Sequence, residues 1–332
     1  MEETNHVPLL DVRDLTVEYS SGKKTVHAVN GVSFSLERGK TLGLVGETGA
    51  GKTTIAKAIL GVLPKPQARV KSGEIALDGT DLLTLSEDKL RRVRGNRISM
   101  VFQDPMTALN PVMRVGKQIA EAVKFHQNLS WSDANTKAEE MLALVGIGPE
   151  RFHEYPHQFS GGMKQRIVIA MALACNPDLL LADEPTTALD VTIQAQVLSL
   201  MKLLREQRGT AMVLITHDLG IVAGNCDSVA VIYAGSVIEY GSREEIFDFC
   251  RHPYTKGLFA ALPDVSRGGA RLVPIRGTPA DPTALPPGCA FAPRCPYAAP
   301  ECSERAPENV SLGGTHRCAC IRTDAIEPGR EV

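Results

Sequence analysis

The chain has 332 residues, enough for about two domains and a substantial core. Hydrophobic residues make up 43% and charged residues 22%, which excludes wholesale disorder. The net charge of −2 gives no support to a nucleic-acid binder acting through bulk charge. No apolar run is long enough for a transmembrane helix, and the opening MEETNHVPLLDVRD lacks the apolar core of a secretory signal. A cytoplasmic location is therefore expected. In a reducing compartment, eight cysteines are not expected to build a disulfide framework.

In chain order, Leu10–Tyr19 and Val26–Leu36 alternate apolar and polar residues, as half-buried strands do, and Thr41–Val45 is a short apolar strand. A helix is predicted over Lys52–Leu60. A strand at Glu74–Leu77 closes at the turn dipeptide Asp78-Gly79, and a buried strand follows at Ile98–Phe102. From about 112 to 175 helical periodicity dominates, at Val115–Phe125, Asp133–Val145 and Met163–Ala174. Strands resume at Leu179–Ala182 and Ala211–Ile215 around a helix at Thr192–Glu206. Short apolar strands alternating with helices imply a parallel, helix-covered sheet. Val229–Tyr233 and Val237–Tyr240, joined around Gly235, read as a terminal hairpin. Pro263–Gly288 is rich in Pro, Gly and Ala and reads as a linker or irregular wrap.

The strongest local signal is GETGAGKT, residues 46–53, between a predicted strand and a predicted helix. Its glycines let backbone N–H groups wrap phosphates at a helix N-terminus. Lys52 supplies a charge to β- and γ-phosphates, and Thr53 supplies a hydroxyl for Mg2+. A second apolar strand, LLLADE, ends in two carboxylates. Asp183 suits a magnesium site and Glu184 suits a water-activating base. The run FSGGMKQ opens a helix with Ser160 as N-cap and with N–H groups exposed at Gly161 and Gly162, a second anion site. Two half-sites in one chain suggest that each is completed across a dimer.

With these motifs in place, residues 8–262 resemble the nucleotide-binding subunits of ABC transporters. GETGAGKT resembles the Walker A loop, Gln103 in VFQDP the Q-loop glutamine, and FSGGM the signature. LLLADEP resembles Walker B, Ala188-Leu189-Asp190 the D-loop, His217 the switch histidine, and Tyr19 the aromatic residue that stacks on adenine. The resemblance implies an α/β P-loop NTPase core with an antiparallel β-subdomain and a helical insertion. It implies an ATP site made of Tyr19, Gly46, Glu47, Thr48, Gly49, Ala50, Gly51, Lys52, Thr53, Thr54, Ser160, Gly161, Gly162 and Asp190. Mg2+ would sit at Thr53, Gln103 and Asp183, and Glu184, His217 and Gln103 would serve hydrolysis. Asp104–Val115 would dock a membrane partner's helix.

Met163 in FSGGMKQR, the segment HPYTKGLFAALP and the tail GCAFAPRCPYAAPEC are similar to the dipeptide and oligopeptide importer branch. That resemblance implies two transmembrane permeases, a sibling or identical ATPase subunit, an extracytoplasmic solute-binding protein and no nucleic acid. It places the chain peripherally on the cytoplasmic face of the inner membrane. The same branch imports nickel, metal chelates and other small solutes. Other ABC ATPases act on ribosomes or DNA, but they commonly carry two cassettes or long insertions absent here.

Residues 263–332 read as a C-terminal extension. It holds five of the eight cysteines, spaced C-x5-C-x6-C-x15-C-x-C from Cys289 to Cys320, a span of 32 residues where even scatter would put fewer than one. Zinc sites favour tighter pairs, iron–sulfur clusters accept more varied spacing, and ordinary reduced thiols are the third reading. The family resemblance implies a 4Fe–4S cluster on Cys289, Cys295, Cys302 and Cys320, with Cys318 competing for the fourth place.

Overall fold

A computed structural model describes residues 7–22, 24–187, 189–262 and 274–329. Ala188 and the first part of the predicted 263–288 wrap therefore lie outside the described residues. The strands are β1 (Leu10–Ser21), β2 (Lys24–Leu36), β3 (Thr41–Val45), β4 (Ala68–Leu77), β5 (Thr80–Asp81) and β6 (Ile98–Val101), then β7 (Leu179–Asp183), β8 (Ala211–Thr216), β9 (Ser228–Tyr233), β10 (Ser236–Ser242), β11 (Val310–Gly313) and β12 (His316–Cys318). They form two sheets, ordered β2-β1-β4-β5 and β11-β12-β10-β9-β3-β8-β7-β6. The smaller sheet is antiparallel. In the larger one, β9, β3, β8, β7 and β6 run parallel.

The central strands are apolar on both faces because both faces are covered. Leu42, Leu44, Leu179, Leu181, Val213 and Ile215 enter one core, which they share with the small sheet and the helix Lys52–Leu60. Their neighbours Val45, Leu180, Ala182, Met212 and Leu214 face the other core. That second core takes in the helices Val115–Gln127, Trp131–Leu144 and Gly161–Leu173. The period-two alternation thus divides each strand between two helix-covered layers.

Two expectations need correction. The strand predicted from Glu74 begins at Ala68, because Ala68–Glu74 pairs with β1 although its exposed residues carry little apolar pattern. The hairpin β9–β10 is not terminal: β12 pairs antiparallel with β10, and β11 pairs with β12. The extension therefore continues the main sheet.

That junction is fastened by a buried carboxylate. Glu239 on β10 is 0% exposed. Its oxygens accept hydrogen bonds from the N–H groups of Arg251 (2.5 Å) and His252 (3.1 Å) and lie 2.9 Å from His316 Nε2 on β12. Arg251 also donates to the carbonyls of Thr323 and Ile326, and Lys256 donates to Gly329. Truncating Glu239 would strand several buried donors. Glu239→Ala is expected to destabilise the protein by about 3 kcal/mol, measured by urea unfolding, with Glu239→Gln costing less.

Candidate functional site

The parallel strands deliver the predicted site residues to one edge. Their order, β6-β7-β8-β3, sets side by side the segments that follow them, and these carry Gln103, Glu184, His217 and Gly46. The register is tight: Val45 pairs with Thr216, and Asp183 with Ile215. Ligand sites in open α/β sheets form outside this carboxyl edge.

The loop after β3 turns sharply into the helix Lys52–Leu60. Gly51 has φ 103°, and a Cβ there would stand 2.3 Å from the Ala28 carbonyl. At Gly46 a Cβ would meet the Ile232 carbonyl at 2.2 Å, so backbone packs where a side chain would otherwise project. Gly49 faces open space, which leaves the inner rim of the loop accessible. Lys52 is buried, and its Nζ donates to the carbonyls of Gly46 (2.7 Å) and Glu47 (2.9 Å). Burial lowers its pKa, opposed by Glu184, Asp183 and Glu47.

Thr53 Oγ1 donates to Asp183 Oδ1 at 3.1 Å, so a hydroxyl and a carboxylate converge beside the loop. These hard oxygen donors suit Mg2+. Burial pushes the Asp183 carboxyl above its usual range. Glu184 has φ 44°, a strained conformation for a residue with a side chain. Its Oε2 accepts from Gln103 Nε2 and Thr187 Oγ1, each at 2.9 Å, and its Oε1 lies 3.2 Å from His217 Nδ1. Burial pushes Glu184 up, but His217, Thr187 and Lys52 together outweigh it and hold the carboxyl below its usual range. Tyr19 Oη lies 3.4 Å from Thr54 Oγ1, which puts the aromatic ring at the start of the same helix.

Ser160 and Asp190 are the N-caps of their helices, accepting from the N–H groups of Met163 and Ile193. The two helices approach closely, since a Cβ at Gly162 would lie 2.6 Å from Ile193. The cavity at the phosphate loop is lined by Thr48, Gly49, Gly51, Lys52, Thr53, Thr54, Gln103 and Glu184, among others, and residues 160–162 are not part of its wall.

Sequence reasoning missed the wall supplied by the extension. Pro282 lines the same cavity, and its carbonyl accepts from the His27 N–H at 2.8 Å. Arg294 grips the Glu47 carboxylate, so that side chain turns to the extension. A Pro/Ala-rich composition carried no signal of this return.

Cys289, Cys295, Cys302 and Cys320 line one small cavity with His252 and Phe291. Cys318 is fully buried on β12 and is not part of that lining. Burial raises the thiols of Cys289 and Cys320, and Cys295 to about 11. Among the described residues, no group of three or more His, Cys, Asp or Glu is arranged to hold a metal ion.

A phosphate loop, a Walker-type carboxylate pair and a helix-capping signature on a two-layered sheet define an ATP-binding cassette ATPase. Residues 29–187 match the family described as ABC transporter, and residues 238–302 match the oligopeptide/dipeptide transporter C-terminal region. The chain is 50% identical over 318 residues to the dipeptide transport ATP-binding protein DppD of Bacillus subtilis, covering 95% of each. It is 51% identical over 311 residues to the oligopeptide transport ATP-binding protein OppD of that organism, covering 93% of this chain and 87% of the other. A solved dimeric ATP-binding cassette in a post-hydrolysis state with ADP and Pi superposes with TM-score 0.64 at 27% identity, over 70% of this chain and 98% of that one. The chain belongs to the ATP-binding subunits of ABC transporters, in the dipeptide and oligopeptide branch.

Gly51→Ala tests the packing of the loop. A side chain there is expected to cost about 1–3 kcal/mol through its strained φ, with a further loss from the clash, read as a lower melting temperature.

Proposed function

We propose that the chain binds and hydrolyses Mg-ATP to drive import of dipeptides or oligopeptides through a membrane permease. The observation that carries the chemistry is the convergence of Lys52, Thr53, Asp183, Glu184, Gln103 and His217 on one sheet edge. The peptide assignment rests on similarity along nearly the whole chain to peptide-transport subunits.

Gly46–Thr53 cradles the phosphates, and Lys52 places its charge by the β- and γ-oxygens. Tyr19 stacks on the adenine. Thr53, Asp183 and Gln103 would hold Mg2+, which when bound would offset the negative charge of the phosphates. Gln103 and His217 fix the two oxygens of Glu184, which stays ionised and accepts a proton from the attacking water. The products are ADP and phosphate. His217 has Nδ1 engaged with Glu184, which leaves Nε2 to sense the γ-phosphate. Ser160–Gly162, outside this chain's own phosphate cavity, caps the γ-phosphate of a second ATPase subunit, and Asp190 starts the helix packed against it. ATP then bridges two subunits, and hydrolysis removes the bridge.

A groove beside Gln103, lined by Met100, Phe102, Ala108 and Met171, gives a permease helix an apolar seat next to the Q-loop. Phe102 is 41% exposed there. Among the described residues no helix is long and apolar enough to cross a membrane, so the translocation path belongs to separate permease subunits, with an extracytoplasmic solute-binding protein delivering the peptide. The chain acts on the cytoplasmic face, its 8–262 segment as the cassette and 263–332 as the extension.

Cys289, Cys295, Cys302 and Cys320 are the four thiols that a 4Fe–4S cluster takes, and they share one cavity wall, although as they stand they form no single-ion site. A cluster there would cross-link the extension. Iron and acid-labile sulfide near four each per chain in anaerobically purified protein would support it, and their absence would leave reduced thiols.

Glu184→Gln is expected to bind ATP while losing about 100-fold or more in turnover, measured as phosphate release in the assembled transporter. Lys52→Ala is expected to lose ATP binding. Capture of tagged Glu184→Gln from detergent-solubilised membranes with Mg-ATP should recover two permeases. Recovery of ribosomal or DNA-repair proteins without a permease would overturn the transport reading.

A further inference from the structure

The phosphate loop is held from outside by a residue that none of its motifs contains. Glu47, second in the loop, is fixed at three points. Its carboxylate receives Arg294 Nη1 at 2.7 Å and Nη2 at 3.0 Å, a two-pronged pairing. Its N–H donates to Tyr254 Oη at 2.9 Å. Its carbonyl accepts from Lys52 Nζ at 2.9 Å.

Arg294 is held as firmly as it holds. Its side chain is 4% exposed. Its Nε donates to the Arg276 carbonyl at 3.0 Å, and Nη1 also reaches Tyr233 Oη at 3.4 Å. The guanidinium lies 5.8 Å from the ring centres of both Tyr233 and Phe291. Its neighbour Cys295 lines the four-cysteine cavity. A rigid fork on a buried stem thus reaches from the extension to the loop, and its carboxylate partner carries one of the two carbonyls that seat the Lys52 ammonium.

We infer that Arg294 is a positioning residue for ATP binding: through Glu47 it fixes the carbonyl that seats Lys52, so the C-terminal extension sets the nucleotide affinity of the cassette. This rests on the reading of Gly46–Thr53 as the ATP site. Arg294 touches Glu47 and not the nucleotide, so its loss acts on the placement of Lys52 and the loop backbone. A lysine can supply the charge but not the fork, and therefore restores part of the effect.

The test measures Mg-ATP dissociation constants and melting temperatures on the purified full-length chain, with KM and kcat on the assembled transporter. Arg294→Gln is expected to weaken ATP binding about tenfold and to raise KM by more than it lowers kcat. Arg294→Lys should fall between it and the parent. Glu47→Gln should weaken binding similarly, and the double variant should be no weaker than either single one, because both act through one contact. Glu301→Gln breaks an exposed ion pair with Arg322 elsewhere in the extension and should leave affinity unchanged. A folded Arg294→Gln with parental affinity, additive losses in the double variant, or an equal loss in Glu301→Gln would each overturn the inference. If Arg294→Gln does not fold, Arg294→Lys decides: weaker binding at an unchanged melting temperature supports it, and parental binding refutes it. Lys52→Ala separates the two readings. Should Lys52→Ala keep its ATP affinity, the phosphate-loop assignment falls and this inference with it. Should Lys52→Ala lose affinity while Arg294→Gln keeps it, this inference alone falls.

Discussion

The parallel pairing of β3, β6, β7 and β8 is the constraint on which the site depends. Parallel strands end at the same edge, so the residues that follow them must meet there. Gln103, Glu184, His217 and the phosphate loop are far apart in sequence and become neighbours only through strand order. The strands can be so apolar because helices and the small sheet cover both faces. A slip of one residue in β7 would turn Asp183 away from Thr53 and exchange the two cores.

The same edge concentrates opposing charge. Lys52 is buried beside Asp183, Glu184 and Glu47, and each of these carboxylates has its own fixed partner. Thr53 holds Asp183; Gln103, Thr187 and His217 hold Glu184; Arg294 holds Glu47. The charges are therefore oriented by neighbouring hydrogen bonds. The left-handed backbone at Glu184 belongs to the same economy: it turns consecutive carboxylates off a strand end, where extended geometry would send them to opposite faces.

Much of this was legible in the sequence because the relevant signals are local. Thr41–Val45 and Lys52–Leu60 lie where the apolar run and the glycine loop placed them. The helices beginning near 115, 131 and 161 followed from their periodicity, as did the parallel sheet from alternating strands and helices. What escaped is non-local. The exposed start of β4 has no alternation to betray it, and its pairing is set by β1. Pro282 stands in a stretch of Pro, Gly and Ala and Arg294 in the cysteine-rich tail beyond it, and neither composition says what these residues touch. A guanidinium that reaches 247 positions back along the chain leaves no periodicity to read. The cysteines could be counted but not placed: the fold separates Cys318, on a strand, from the four that share a cavity.

The hairpin β11–β12 has a further effect on how the protein behaves among other copies of itself. An open sheet presents unpaired N–H and C=O groups along its last strand, and such an edge recruits other chains. Here β10 is seven residues long and largely buried, a sticky border if left bare. Pairing with β12 moves the border outward to β11, which is four residues long and mostly solvent-facing. The extension thus also shields the sheet against edge-to-edge pairing with other copies.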